Sequence, residues 1–176
     1  LGYITVFFNP PENGKMAPFR FLDGPFAETD IYGVIFDITA LHGLMPGSTT
    51  AAKALADMLH NNRVPMAIAT GAPIAEIRKK LETIELQHAI PESNWIHSRS
   101  GFDKITGEAW QAAADLLGLT LDQTIVVDIP QGDIEVAISR NAIGGIVTVN
   151  AALEPKGKVL AVNARDETAF NDLLRF

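Results

Sequence analysis

The stretch Val34-Ile35-Phe36-Asp37-Ile38-Thr39 decides the fold. Apolar residues run up to Asp37 without polar alternation, which is how a strand buried on both faces of a parallel sheet reads. The run then ends on a carboxylate. In open α/β sheets ligands bind beyond the carboxyl ends of the strands, so an acid at this tip marks a place where chemistry is expected.

Working outward from Asp37, strand and helix signals alternate. The strand at 31–37 is followed by a helix expected over 48–62, capped by Ser48 or Thr49 and carrying Ala51, Leu55, Met58 and Leu59 as an apolar stripe. Val64-Pro65-Met66-Ala67-Ile68-Ala69-Thr70 reads as the next strand, and Pro73 opens a helix running to Thr83. A short strand at 95–97, a helix at 106–118, the strand Thr124-Ile125-Val126-Val127-Asp128 and a helix over 133–141 continue the cycle. Strands at 146–149 and 159–162 and a closing helix over 166–174 complete it. This alternation predicts an α/β fold: a doubly wound, Rossmann-like parallel sheet flanked by helices.

Residues 1–30 stand apart as a short N-terminal β extension, with 31–176 as the α/β domain. Tyr3-Ile4-Thr5-Val6-Phe7-Phe8 predicts a strand, Asn9-Pro10-Pro11-Glu12-Asn13-Gly14 a turn, and 18–26 a short second strand. An edge hairpin or a small flap is expected there.

Composition bounds the function. The chain has 176 residues, 47% hydrophobic and 20% charged, enough for one domain around one core. No apolar run approaches the roughly 18 residues of a membrane span, so no membrane partner is expected. Zero cysteines exclude disulfides, thiolate metal sites and a cysteine nucleophile. A formal charge of −7 argues against nucleic acid as partner, because phosphate-backbone binding relies on clustered Lys and Arg. Leu1-Gly2-Tyr3 opens no signal-peptide pattern, and a cytoplasmic location is expected.

Because parallel strands all point the same way, Asp37, Thr70 and Asp128 are expected at one sheet edge. Two carboxylates there suit a hard cation such as Mg²⁺, with substrate phosphate completing its shell. Lys104, in the loop before the helix at 106–118, is placed to bind phosphate oxygens together with the Thr70 hydroxyl.

These residues resemble the motifs of the haloacid dehalogenase-like (HAD) hydrolases across residues 31–176. Phe36-Asp37-Ile38-Thr39-Ala40-Leu41 is similar to the family's first motif, Ile68-Ala69-Thr70-Gly71 to its second, and Lys104 ahead of a helix to its third. Val127-Asp128-Ile129-Pro130-Gln131-Gly132-Asp133 is similar to the fourth. The resemblance implies that Asp37 attacks phosphorus and forms an aspartyl-phosphate. It implies Mg²⁺ held by Asp37, Asp128 and the backbone carbonyl of Thr39, with Asp133 as a further ligand or brace. Thr70 and Lys104 would hold the phosphoryl oxygens. The implied substrate is a small phosphorylated molecule.

The chain departs from the family pattern at Thr39, where the family's phosphatases carry the general-acid Asp, and at Ala40, Leu41 and Val127. A hydroxyl does not replace that acid, so slow turnover is expected; His42 is a candidate proton source from the adjacent loop. The alternative is a catalytically degenerate HAD-like domain with a binding or structural role. Receiver-type phosphoacceptor domains also place Asp, Thr and Lys at strand ends, but carry their acidic pair on the first strand, whereas Asp128 and Asp133 come late here. Gly43-Leu44-Met45-Pro46-Gly47 runs almost directly into the next helix and leaves no room for a cap, so the N-terminal flap or a homo-oligomer would have to screen the site.

Overall fold

The computed structural model describes residues 4–10, 17–44, 49–149 and 157–173. In chain order the elements are β1 (Ile4–Phe8), β2 (Phe19–Phe21), β3 (Gly33–Phe36), α1 (Ile38–His42), α2 (Ala51–Asn61), β4 (Met66–Ala69) and α3 (Ile74–Thr83). They continue with β5 (Trp95–Ile96), α4 (Glu108–Leu116), β6 (Thr124–Asp128), α5 (Gln131–Ser139), β7 (Gly144–Val149), β8 (Val159–Asn163) and β9 (Phe170–Asp172). The alternation expected from sequence is present, with helix and strand ends shifted by a few residues.

β3 to β8 form one parallel sheet in the order β5-β4-β3-β6-β7-β8. The chain winds from β3 outward through β4 to β5, then returns to the other side of β3 with β6. That reversal makes the gap between β3 and β6 the topological switch point, where helices diverge and leave a crevice at the carboxyl edge. Register sets what lines it: Phe36 pairs with Val127, and the Asp37 amide donates to the Val127 carbonyl at 2.8 Å. Asp37 and Asp128 therefore end neighbouring strands side by side.

β3, β4, β5 and β6 are buried along their whole length, on both faces, as their apolar runs require. Val34, Phe36, Ile68, Ile125, Val127 and Ile146 pack toward α2 and α3, where Leu55, Leu59, Ile77 and Leu81 close the layer. Ile35, Ala67, Val126 and Val147 face Trp110 and Ala113 of α4 and Ile134 and Ala137 of α5. Gly145 permits the second layer: a Cβ there would strike Ile134 and the Val126 carbonyl, so α5 sits this close to the sheet only over glycine.

The structure corrects three expectations. The segment over 166–174 is not a helix in its described part. Thr168 donates its amide and hydroxyl to Asp166 Oδ1 at 3.0 and 2.7 Å, closing a turn, and β9 follows with Phe170 and Asp172 buried around exposed Asn171. That period-2 burial, with the Phe170 ring 6.0 Å from Phe21, overrides local helix preference. Second, β1 and β2 do pair as an antiparallel hairpin, but they join β9 in a separate three-stranded sheet, order β2-β1-β9, instead of edging the large one. Phe19 exchanges backbone bonds with Ile31, and the Phe26 ring lies where a Gly144 Cβ would sit. Both contacts are at the amino edge, so β2 is not a flap over the carboxyl edge. Third, α2 is capped by Thr50, whose Oγ accepts from the Lys53 amide at 2.9 Å, and not by Thr49; Ser48 lies outside the described residues, as do the turn over 11–14 and the loop over 45–47.

Candidate active site

Asp37 follows β3 directly and caps α1: its Oδ2 accepts from the Thr39 amide at 2.9 Å and the Ala40 amide at 3.4 Å. Capping fixes the carboxylate and leaves Oδ1 turned to other partners. Asp128, 1% exposed, closes β6, and its Oδ1 accepts from the Ile129 amide at 2.7 Å. Lys104 reaches between the two, its Nζ donating to Asp37 Oδ1 at 3.1 Å and Asp128 Oδ2 at 2.7 Å. Asp133, in the first turn of α5, stands 3.8 Å from the same ammonium.

The loop that delivers Lys104 is shaped by Gly107, the cap of α4, at φ 85°, a left-handed conformation that glycine adopts without strain. A Cβ there would also meet the Arg140 side chain at 2.6 Å. Trp110, in the first turn of α4 and fully buried, presents its ring 4.7 Å below the Lys104 ammonium and donates from Nε1 to the Asp133 carbonyl at 3.2 Å. From sequence, Trp110 reads as core or rim packing in preference to substrate stacking. Its second role depends on how α4 meets α5, which no local pattern encodes.

The remaining expected residues have defined places. Thr70 follows β4, adjoining β3 at the same edge, and its Oγ accepts from the Ala72 amide at 3.2 Å. Thr39 sits in the first turn of α1, and its carbonyl accepts from the Gly43 amide at 2.8 Å. His42 Nδ1 is 2.8 Å from the Gly43 carbonyl, which fixes the proton on Nδ1 and leaves Nε2 as the free nitrogen of the neutral ring.

Electrostatics set the character of the site. Burial pushes the Asp128 carboxyl up to about 7; the Asp37 charge adds to this, and Lys104 and the Ile129 amide oppose it. Burial alone would lower Lys104, but the Asp37 and Asp128 charges and hydrogen bonds outweigh it and hold the ammonium above its ordinary value. Three carboxylates thus share one ammonium. This deficit of positive charge among hard oxygen donors fits a divalent cation. Among the described residues no group of three or more His, Cys, Asp or Glu is drawn together as a metal cage. That is compatible with Mg²⁺, which is usually bound through one or two carboxylates with water and phosphate completing its shell.

Comparison with known proteins gives the fold a family likeness. No known family profile matches the chain, and no curated protein does. Among solved structures, a HAD hydrolase of family IA, variant 3, from Entamoeba histolytica superposes with TM-score 0.56 at 21% identity, over 66% of this chain and 55% of that one. A HAD-superfamily hydrolase from Ehrlichia chaffeensis gives 0.51 at 21%, over 65% and 52%. The core domain of a protein provisionally designated a phosphoglycolate phosphatase, from Streptococcus pneumoniae, gives 0.55 at 20%, over 78% and 92%. The chain has the HAD-like fold, and it spans about half the length of the first two of these proteins. Among the described residues no helix is long and apolar enough to cross a membrane.

Proposed function

We propose that the protein is a HAD-type phosphohydrolase, acting through Asp37 on a small phosphorylated substrate in the cytoplasm, and slow because Thr39 stands where an acid would serve. One observation carries this reading: Lys104 Nζ bridges Asp37 Oδ1 and Asp128 Oδ2 at the switch point of the sheet. Asp37 attacks phosphorus in line, forming the carboxylate–phosphorus bond as the bond to the leaving oxygen breaks. Lys104 exchanges a carboxylate contact for phosphoryl oxygens, and the Thr70 hydroxyl binds another, so both stabilise charge where it develops. Water then attacks phosphorus, releasing phosphate and restoring the carboxylate.

Asp37, Asp128 and the Thr39 carbonyl would hold Mg²⁺, with Asp133 as a further ligand. When bound, the ion supplies the positive charge that lets carboxylate and phosphate approach. Protonating the leaving alkoxide is the weak step. The Thr39 hydroxyl is no acid near neutral pH, and the His42 Nδ1 is engaged by the Gly43 carbonyl at 2.8 Å.

A second reading, a degenerate HAD-like domain with a binding or structural role, is favoured by that same Thr39. Assay of p-nitrophenyl phosphate with Mg²⁺ separates them, since this leaving group departs without a proton. Turnover abolished by Asp37→Asn, which keeps a capping side chain, supports the phosphohydrolase. No turnover together with no vanadate binding establishes the degenerate domain.

A further inference from the structure

Beside Asp37, at the carboxyl edge of the sheet, lies a cavity of about 200 Å³. Its walls include Thr39 of α1, Leu44 just beyond α1, Ile129 past the end of β6, Thr148 near the end of β7 and Arg165 past the end of β8. Thr39 joins the cavity to the nucleophile, whose side chain accepts the Thr39 amide.

Three features state what would fit. An apolar cavity of roughly 150 Å³ holds benzene, so this one accommodates a compact organic group and not a nucleotide. Thr148 is 2% exposed, yet its Oγ has no hydrogen-bond partner among the described residues. The neighbouring wall residue Thr50 is satisfied twice, donating to the Leu41 carbonyl and accepting from the Lys53 amide. Buried hydroxyls are rarely left unpaired, and an orphan in a cavity wall marks where a ligand atom completes the bond. Arg165 is exposed, and its guanidinium has no partner among the described residues. In a chain of net charge −7, an unpaired cation in the wall selects an anionic group.

Resting on the phosphohydrolase reading, we propose that this cavity seats the leaving group of the phosphoester and that the leaving group is a compact hydroxy acid. Its carbon skeleton lies against Leu44 and Ile129, a polar atom pairs with Thr148 Oγ, and its carboxylate meets Arg165. The substrate class is then a short phosphorylated hydroxy acid.

The probes are 3-hydroxybutyrate and its uncharged counterpart butane-1,3-diol, titrated by ligand-observed NMR, with vanadate binding measured in parallel. The acid should bind at least about tenfold more tightly than the diol. Arg165→Gln should erase that preference, and Thr148→Val, an isosteric change that removes the unpaired hydroxyl, should weaken the acid by about tenfold. Vanadate binding should be unaffected by either variant. Equal binding of acid and diol, or acid binding unchanged in both variants, overturns the proposal while vanadate binding sustains the phosphohydrolase. Acid binding without vanadate binding overturns the assignment as leaving-group seat along with the phosphohydrolase reading.

Discussion

The Lys104 ammonium lies 4.7 Å from the centre of the Trp110 ring, and the same tryptophan donates to the Asp133 carbonyl. One buried side chain thus supports the site lysine from below and ties down the start of α5. Replacing it by alanine is expected to cost about 3–5 kcal/mol in urea unfolding. Trp110→Phe keeps an aromatic face but loses the N–H; it should destabilise less and weaken vanadate binding without abolishing it.

Asp128 gives the metal-free protein a defined pH response. Its folded pKa, about 7, stands above the unfolded value of 3.8, so the fold favours the protonated acid. That contribution is complete below the unfolded value and is lost as pH rises through about 7. With chelator present, the melting temperature should fall between pH 5.5 and pH 8, to within about a pH unit in midpoint. Asp128→Asn should flatten the profile. Adding Mg²⁺ should restore stability more at pH 8 than at pH 5.5, because the cation competes with the proton for this carboxylate.

Thr39 controls which phosphoesters turn over. Thr39→Asp supplies a carboxyl group two residues after the nucleophile and is expected to raise alkyl phosphate hydrolysis by about 10²-fold or more, leaving p-nitrophenyl phosphate nearly unchanged. Steady-state kcat on the two substrates checks this. Equal acceleration of both would place the deficiency elsewhere than in leaving-group protonation.

Phe170 anchors β9. Its ring meets Phe21, which in turn packs edge-on to Phe19 and Phe26 at 5.7 and 5.3 Å. Phe170→Ala is expected to cost about 3–5 kcal/mol, measured by urea unfolding, with p-nitrophenyl phosphate turnover per folded molecule unchanged because the small sheet is anchored at the edge away from Asp37.

What could be read from sequence follows from how local each signal is. β3 and β6 are legible because an oily run ending on Asp37 or Asp128 needs no partner to be recognised, and parallel winding then brings the two together. β9 was not legible: Phe170 and Asp172 gain their period-2 meaning only from β1, far away in sequence. The starts of α2 and α5 shifted because Thr50, not Ser48 or Thr49, caps α2, and because Pro130 occupies the cap position of α5, ahead of the start expected at residue 133. The orphaned Thr148 hydroxyl is likewise invisible in Ile146-Val147-Thr148-Val149, where threonine is an ordinary strand residue.

The parallel pairing of Ile4 with Phe170 has a consequence for synthesis. As the chain leaves the ribosome, β1 and β2 emerge before every strand of the large sheet, yet the strand that completes their own sheet follows only after all of them. Until β9 is made, the Phe21 ring lacks its Phe170 neighbour and β1 keeps a bare hydrogen-bonding edge, the kind of surface to which chaperones and stray strands attach. The nascent protein is therefore vulnerable at this hairpin, and the arrival of β9 is what ends that exposure.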